Sequence, residues 1–287
     1  MILTLPGPLV STAWLAANFD ARSIKVLDGS FVMPDSGRDI HDEFAAAHIP
    51  GAQLFDIDEI KDSANPLPHT VPSAVDFGRA VGAFGIDNTD AVVIYDTTNI
   101  AMAAARVWWM FRLFGHERVA VLDGGLPKWT REGRPVESGP ASAPNELPGF
   151  TARLRRPLLA TEADVGKASD MGDATVVDAR DPARFSGREP ESRPGLRSGH
   201  IPGSRNLPWP SLIDPDNGTL LPPEELRAAI DDAGIDLSKP IISSCGSGVT
   251  ACVLALAAAV LAAPPVTVYD GSWTEWGRIG GPPIEKG

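Results

Sequence analysis

The segment IISSCGSGVTA, residues 241–251, joins a short β-branched run to an apolar helical stretch through a glycine-rich turn. Short β-branched runs alternate with helical stretches throughout the chain, which is typical of α/β domains with a mostly parallel sheet flanked by helices. The periodicity predicts helices over residues 101–114, 222–233 and 249–261. Ligands bind such sheets beyond the carboxyl ends of the strands, so functional residues are expected directly after residues 92–95 and 241–244.

The chain contains an internal repeat. In the first half the landmarks are Val26-Leu27-Asp28, His48-Ile49-Pro50-Gly51, Val92-Val93-Ile94-Tyr95-Asp96 and Asp123-Gly124-Gly125. In the second half they are Val176-Val177-Asp178, His200-Ile201-Pro202-Gly203, Ile241-Ile242-Ser243-Ser244-Cys245 and Asp270-Gly271-Ser272. The order is the same and the spacing is similar, which indicates two tandem copies of one fold.

The two copies are separated by a proline-rich stretch. Residues 134–150 carry Pro135, Pro140, Pro144 and Pro148 among Ser, Gly and Asn, without apolar periodicity. Such a composition is typical of an interdomain linker. The sequence therefore predicts a first domain over residues 1–133, a linker over 134–150 and a second domain over 151–287.

Composition narrows the class of protein. The 287 residues include 25 Lys and Arg against 37 Asp and Glu, a formal net charge of −12, which disfavours nucleic acid and anionic membranes as partners. Only Cys245 and Cys252 are present, too few for a disulfide framework. The apolar N-terminus lacks the features of a signal peptide, and the apolar run at 251–263 is shorter than the roughly 20 residues of a bilayer span. A cytoplasmic protein with a buried helix at this run is expected.

Cys245 is the candidate nucleophile. It stands where a strand turns into a helix, and Gly246 and Gly248 allow the backbone to curl around its sulfur. Backbone N–H groups and a helix N-terminus directed at the sulfur stabilise a thiolate, the form that attacks electrophiles. A buried structural cysteine is the alternative, but the small residues at this turn serve no packing purpose. Cys252 lies on an Ala/Leu/Val helix face and is expected to be a core residue.

These motifs carry a resemblance to a known family. The CGSGVTA loop, the paired His-Ile-Pro-Gly turns, the RVWWM segment at 106–110 and the Asp270-Gly271-Ser272-Trp273 ending resemble the tandem-domain rhodanese superfamily, most closely its 3-mercaptopyruvate sulfurtransferases. The resemblance spans both halves and implies two rhodanese-like domains. It also implies a catalytically silent first domain, since Asp96, followed by Thr97-Thr98-Asn99, stands at the position that matches Cys245.

Other classes of activity are disfavoured by missing residues. A phosphatase loop of the Cys-x5-Arg type needs an arginine where this chain has Ala251, so three phosphate oxygens could not be held bidentately. The sequence has neither a phosphate-binding Gly-x4-Gly-Lys loop nor clustered metal-ligand spacing. No cofactor and no metal are expected.

The loop composition bears on the sulfur donor. Thiosulfate-using relatives carry basic side chains in this loop, whereas Gly246 and Ser247 are neutral, which favours 3-mercaptopyruvate. The resemblance assigns donor binding to Arg184 and Arg193, whose planar guanidinium groups suit an α-keto acid. The loop residues that would line the donor site are Gly246, Gly248, Val249 and Thr250. Arg188 and Arg197 lack a motif match and are expected to be solvated surface residues.

The resemblance also implies a proton relay of Ser247, His69 and Asp58, with His69 and Asp58 in the first domain and the relay spanning the domain interface. A histidine changes charge near neutral pH, and a carboxylate can fix its tautomer. Taken alone, His69 would be a loop histidine and Asp58 a helix cap. His48 and His200 occupy equivalent turns of both copies, so a shared structural role is expected for them.

The implied reaction is nucleophilic catalysis in two halves. Cys245 takes the sulfur of 3-mercaptopyruvate as a persulfide and releases pyruvate, and a small-molecule thiol, a thioredoxin-like protein or cyanide then accepts the sulfur. Thiosulfate as the donor and a persulfide carrier without turnover remain open as alternatives.

Overall fold

The computed structural model describes residues 4–19, 21, 23–33, 36–97, 103–144 and 148–287. The chain divides into two compact units. Unit 1 comprises Met1–Lys61, Val71–Arg155 and Asp214–Thr219. Unit 2 comprises Asp62–Thr70, Arg156–Ile213 and Leu220–Gly287.

Unit 1 is built around a five-stranded parallel sheet in the order β1-β5-β4-β2-β3. Its strands are β1 (Leu9–Val10), β2 (Ile24–Asp28), β3 (Gln53–Leu54), β4 (Ala91–Tyr95) and β5 (Val119–Leu122). Its helices are α1 (Thr12–Asn18), α2 (Ile40–Ala46), α3 (Ala74–Ala83), α4 (Ala103–Leu113) and α5 (Gly125–Arg131). Every residue of the central strand β4 is buried, which matches its continuous apolar sequence AVVIY.

Unit 2 repeats this topology in the order β6-β10-β9-β7-β8, again with parallel pairing. Its strands are β6 (Leu159–Ala160), β7 (Thr175–Asp178), β8 (Arg205–Asn206), β9 (Ile241–Ser244) and β10 (Thr267–Tyr269). Its α-helices are α6 (Glu162–Met171), α7 (Pro182–Phe185), α8 (Pro223–Asp232), α9 (Ala251–Val260) and α10 (Ser272–Trp276). The predicted tandem α/β architecture is confirmed.

The two copies share side-chain contacts as well as strand order. The ring of His48 stacks on Phe44 with centroids 4.0 Å apart, and Nδ1 lies 2.8 Å from the Phe44 carbonyl oxygen. The ring of His200 stacks on Phe185 at 3.9 Å, with Nδ1 2.9 Å from the Phe185 carbonyl. The expected structural role of both histidines is confirmed, because the same contacts hold the same turn in each unit.

The three predicted helices are present with shorter bounds. The helix expected at 101–114 is α4, and residues 101 and 102 lie outside the described residues. The most apolar stretch forms α9, in which residues 251–258 are buried. Among the described residues, no helix combines the length and the apolar character needed to cross a bilayer.

The units differ from the sequence-based boundaries in three places. Residues 134–155, expected as the linker and the start of the second domain, group with unit 1. Asp62–Thr70, expected in the first domain, groups with unit 2, and Asp214–Thr219, expected in the second, groups with unit 1. His69 therefore belongs to unit 2 rather than to the first domain. Periodicity assigns a loop only to the elements that flank it, so it cannot reveal where a loop makes its tertiary contacts.

The proline-rich stretch has fixed contacts within unit 1. Trp129 Nε1 donates to the Pro135 carbonyl oxygen at 2.7 Å, and Glu137 forms a backbone bridge with His48. Phe150 is buried against Phe77 and Phe111. Residues 145–147 of this stretch lie outside the described residues.

Candidate active site around Cys245

Cys245 follows β9 directly and is only 2% exposed. Its backbone N–H donates to Ser272 Oγ at 3.1 Å, and its carbonyl oxygen accepts from the Trp273 N–H at 3.0 Å. Both partners lie at the start of α10, which follows the neighbouring strand β10. The nucleophile expected from the sequence is therefore held through both its backbone N–H and its carbonyl oxygen by the next βα loop.

Ser272 is a site residue that the sequence analysis missed. It is fully buried with φ of 48°, and its hydroxyl donates to the Tyr269 carbonyl at 2.7 Å while accepting the Cys245 N–H. In unit 1 the equivalent position is Gly125, with φ of 55°. A left-handed conformation is rare for residues other than glycine, asparagine, aspartate and histidine, so a serine here indicates a specific requirement. The difference between the two copies at this position was the available signal.

The loop after Cys245 leads into the N-terminus of α9. The Gly246 carbonyl oxygen accepts from the Thr274 N–H and from Thr274 Oγ1, each at 2.9 Å. Val249 is 4% exposed and Thr250 directly precedes the first residue of α9. The first-turn N–H groups of a helix have no partners within the helix, so this terminus favours negative charge near the loop.

Cys252 is a core residue, as predicted. It is fully buried in α9, and its thiol donates to the Gly248 carbonyl oxygen at 3.4 Å. The bond runs from the helix back to the loop and helps to fix the loop backbone.

Gly248 is required by the backbone, which yields a stability prediction. Its φ is +78°, and a Cβ at this position would lie 2.5 Å from the Asp270 carbonyl oxygen. Gly203 has a similar φ of +71° but open space around the Cβ position, so Gly203→Ala is the matched control. The left-handed conformation should lower the free energy of unfolding of both alanine variants by about 1–2 kcal/mol. Overlap with the Asp270 carbonyl should lower that of Gly248→Ala by roughly 1–3 kcal/mol more. Denaturant unfolding of both variants measures the difference, and equal losses would show that the loop accommodates a side chain.

Arg184 lies beside the Cys245 loop. It projects from α7, and a Cβ built on Gly246 would be 3.4 Å from Arg184 Nη2. The same Nη2 donates to the carboxylate of Glu191. The guanidinium of Arg184 thus lies against the Cys245 loop at Gly246.

The other arginines of this region fall into different environments. Arg193 is partly buried, whereas Arg188 is exposed and donates from Nε to Ser186 Oγ at 2.9 Å. The expectation that Arg197 is a solvated surface residue is wrong. Its guanidinium donates to the carbonyl oxygens of Gly277, Trp276 and Pro282, so it fixes the chain after α10.

The residues of the predicted relay are distributed over both units. Ser247 is partly buried in the Cys245 loop, and His69, 4% exposed with φ of 58°, also belongs to unit 2. Asp58 belongs to unit 1, is exposed, and lies 3.5 Å from Lys61 Nζ. His69 is thus buried in a left-handed conformation, which histidine adopts more readily than most residues.

The described residues include one group with possible metal ligands, formed by His41, Asp56 and Glu59 in unit 1, whose ligand atoms lie within 4.8 Å of one another. Two of its three residues are exposed. Side chains of this kind are common on protein surfaces without an ion.

Comparison with known proteins agrees with the geometry. The model of the rhodanese-like domain matches residues 11–132 and again residues 161–278. The Arabidopsis thaliana protein named thiosulfate/3-mercaptopyruvate sulfurtransferase 1, mitochondrial, is 47% identical over 97% of this chain and 78% of its own length. The Cricetulus griseus thiosulfate sulfurtransferase is 45% identical over 93% of this chain and 91% of its own length.

A solved structure extends the likeness to three dimensions. The crystal structure of SseA from Escherichia coli, described as a 3-mercaptopyruvate sulfotransferase with the rhodanese fold, superposes with a TM-score of 0.83. The identity is 38%, and the match covers 93% of this chain and 99% of SseA.

Proposed function

Because the chain belongs to the rhodanese family, with one rhodanese-like domain in each half, we propose that it is a sulfurtransferase acting on 3-mercaptopyruvate. The observation that carries the proposal is the placement of Arg184 beside the loop that holds Cys245. A nucleophilic sulfur and a guanidinium at the same edge of a parallel sheet suit a donor with a transferable sulfur at one end and a carboxylate at the other. The names of the Arabidopsis thaliana relative and of SseA from Escherichia coli support this donor.

The chemistry proceeds in two steps. The Cys245 thiolate attacks the donor sulfur, an S–S bond forms, and the C–S bond breaks with its electron pair leaving on the carbon fragment. This fragment is the enolate of pyruvate, which takes up a proton. In the second step the acceptor attacks the outer sulfur of the persulfide, and Cys245 returns to the thiolate.

Two groups of residues serve this reaction in the proposal. Arg184 and Arg193 hold the carboxylate and keto oxygen of the donor, and the loop residues Gly246, Gly248, Val249 and Thr250 surround its sulfur. Ser247, His69 and Asp58 relay the proton of the donor thiol. Unit 1, with Asp96 at the position of the nucleophile, has no cysteine and is silent as a sulfur carrier, and its part in the proposed reaction is limited to Asp58.

Thiosulfate is the second candidate donor. The relative from Cricetulus griseus is named a thiosulfate sulfurtransferase and is about as similar to this chain as the mercaptopyruvate enzymes are. The neutral residues Gly246 and Ser247 favour 3-mercaptopyruvate, because an inorganic dianion gains more from basic side chains in the loop.

Two measurements test the proposal. One is steady-state turnover with each donor and with cyanide as the acceptor, and the other is mass spectrometry of Cys245. We expect kcat/KM for 3-mercaptopyruvate to exceed that for thiosulfate by at least about tenfold, equivalent to roughly 1.4 kcal/mol. The protein should also gain the mass of one sulfur on Cys245. A ratio in favour of thiosulfate would make this protein a thiosulfate sulfurtransferase, and one equivalent of product without turnover would make it a persulfide carrier.

The acceptor and the location follow from the thiol chemistry. A small thiol or a reduced thioredoxin-like protein is the proposed acceptor, because each regenerates the thiolate by attack on the persulfide. A cytoplasmic location is proposed, since both cysteines are free thiols. The Arabidopsis thaliana relative is named mitochondrial, so cell fractionation is the direct check.

A further inference from the structure

Glu191 is a buried carboxylate that binds two arginines. Its side chain is 2% exposed, and Oε1 accepts from Arg180 Nη1 at 2.6 Å while Oε2 accepts from Arg184 Nη2. Arg180 is 1% exposed at its side chain, whereas Arg184 is 30% exposed. Glu191 thus connects an arginine of the protein interior to the arginine beside the Cys245 loop.

Arg180 is itself fixed on every side described. Its Nε and Nη2 donate to both oxygens of Asp178, and Nη2 also donates to the Gly199 carbonyl at 2.8 Å. Its guanidinium lies 4.2 Å from the ring centroid of Trp273. Burial works to lower the pKa of Arg180, but the carboxylates of Asp178 and Glu191 outweigh it and raise the pKa. Arg180 therefore stays charged and gives Glu191 a rigid support.

Among the described residues, the aspartate of unit 1 that corresponds to Asp178 has different partners. In unit 1 the equivalent of Arg180 is Ser30, whose N–H and hydroxyl both donate to Asp28 Oδ1. In unit 2 the Arg180 N–H donates to Asp178 Oδ1 in the same way, at 2.9 Å. In unit 1, where an aspartate rather than a cysteine follows β4, a serine thus binds one oxygen of the buried aspartate. The Arg180–Glu191 pair lies in the unit that contains Cys245, and the equivalent strand end of unit 1 forms without an arginine on its aspartate.

We propose that Glu191 is the positioning residue of the donor site, holding the Arg184 guanidinium beside the Cys245 loop before the donor arrives. The inference rests on the proposed function. A guanidinium has five N–H donors, and Glu191 engages it at Nη2, so it anchors one edge of the group. An arginine fixed in advance loses little conformational freedom when it binds a carboxylate, and the donor therefore binds more tightly.

The test compares Glu191→Gln with Glu189→Gln. Glu189 is exposed two residues away, so its variant removes the same charge without touching either arginine. We expect Glu191→Gln to lower kcat/KM for 3-mercaptopyruvate by about tenfold, chiefly through KM, with kcat within about threefold of the parent. Glu189→Gln should leave both constants within about twofold. The rate of sulfur transfer from a preformed Cys245 persulfide to cyanide should be unchanged in both variants. A general structural defect would lower this rate as well.

Dependence on Arg184 is tested by a double-mutant cycle. In an Arg184→Ala background, Glu191→Gln should lower kcat/KM for 3-mercaptopyruvate by less than a further factor of about two, because the arginine that Glu191 positions is gone. Glu191→Asp provides a second variant if the glutamine variant does not fold, since it keeps the charge but is one methylene shorter. We expect Glu191→Asp to raise KM for 3-mercaptopyruvate, as Glu191→Gln does.

The outcomes are distinguishable. A parent enzyme that does not turn over 3-mercaptopyruvate would overturn the proposed function. A parent that does so, with a KM unchanged by Glu191→Gln or with equal losses in both backgrounds, would overturn the positioning role alone.

Discussion

Cys245→Ser is expected to lower sulfurtransfer by at least about three orders of magnitude, because a hydroxyl at this position cannot form a persulfide. The variant should fold like the parent, since serine is close in size and the Cys245 backbone bonds to Ser272 and Trp273 do not involve the sulfur. Turnover with 3-mercaptopyruvate and intact-mass analysis after donor treatment measure the effect. The parent should gain the mass of one sulfur and the variant should not.

Cys252→Ser is the matched control for this experiment. It removes the other thiol of the chain but leaves a hydroxyl that can donate to the Gly248 carbonyl, as the thiol does. Activity should stay within about threefold of the parent, with at most a modest loss of stability. If Cys245→Ser still gains the mass of a persulfide, or if a folded Cys252→Ser loses activity, Cys245 is not the nucleophile.

Arg184→Ala is expected to reduce kcat/KM for 3-mercaptopyruvate by roughly ten- to a hundredfold. Each charge-assisted contact to a carboxylate is worth about 1.5–3 kcal/mol, and the guanidinium lies beside the loop that holds Cys245. Glu191 keeps its second partner Arg180, so the variant does not leave a buried carboxylate without a counter-charge. Steady-state kinetics with thermal unfolding as a folding check measure the effect.

Arg188→Ala is the control for Arg184. Arg188 is exposed on the same segment, with a hydrogen bond to Ser186, so its removal tests the general loss of one positive charge. Its kcat/KM should stay within about twofold of the parent. Equal losses in the two variants would place the donor carboxylate away from Arg184 and attribute the effect to long-range attraction.

The sequence was sufficient for features that depend on neighbouring residues. The tandem α/β architecture, the strands that directly precede Asp96 and Cys245, and the burial of Cys252 were all predictable, because side-chain periodicity, glycine placement and internal repetition report local structure directly. The equivalent roles of His48 and His200 were predictable for the same reason. When both copies need the same contact for folding, the residues that form it occur in both halves of the sequence.

Other features were decided by tertiary structure. Glu191 could not be distinguished from the exposed Glu189, because its burial between Arg180 and Arg184 arises only when a loop of low periodicity packs onto the strand end. The same holds for Ser272, whose hydroxyl reaches Cys245 from a different strand, and for the segment of His69, which groups with unit 2. Residues far apart in the chain meet at the carboxyl edge of a parallel sheet, and long-range packing decides which of them meet. The sequence alone was enough to predict the two-domain fold and the candidate nucleophile Cys245, and the tertiary structure decided which side chains hold that cysteine and the arginine beside it.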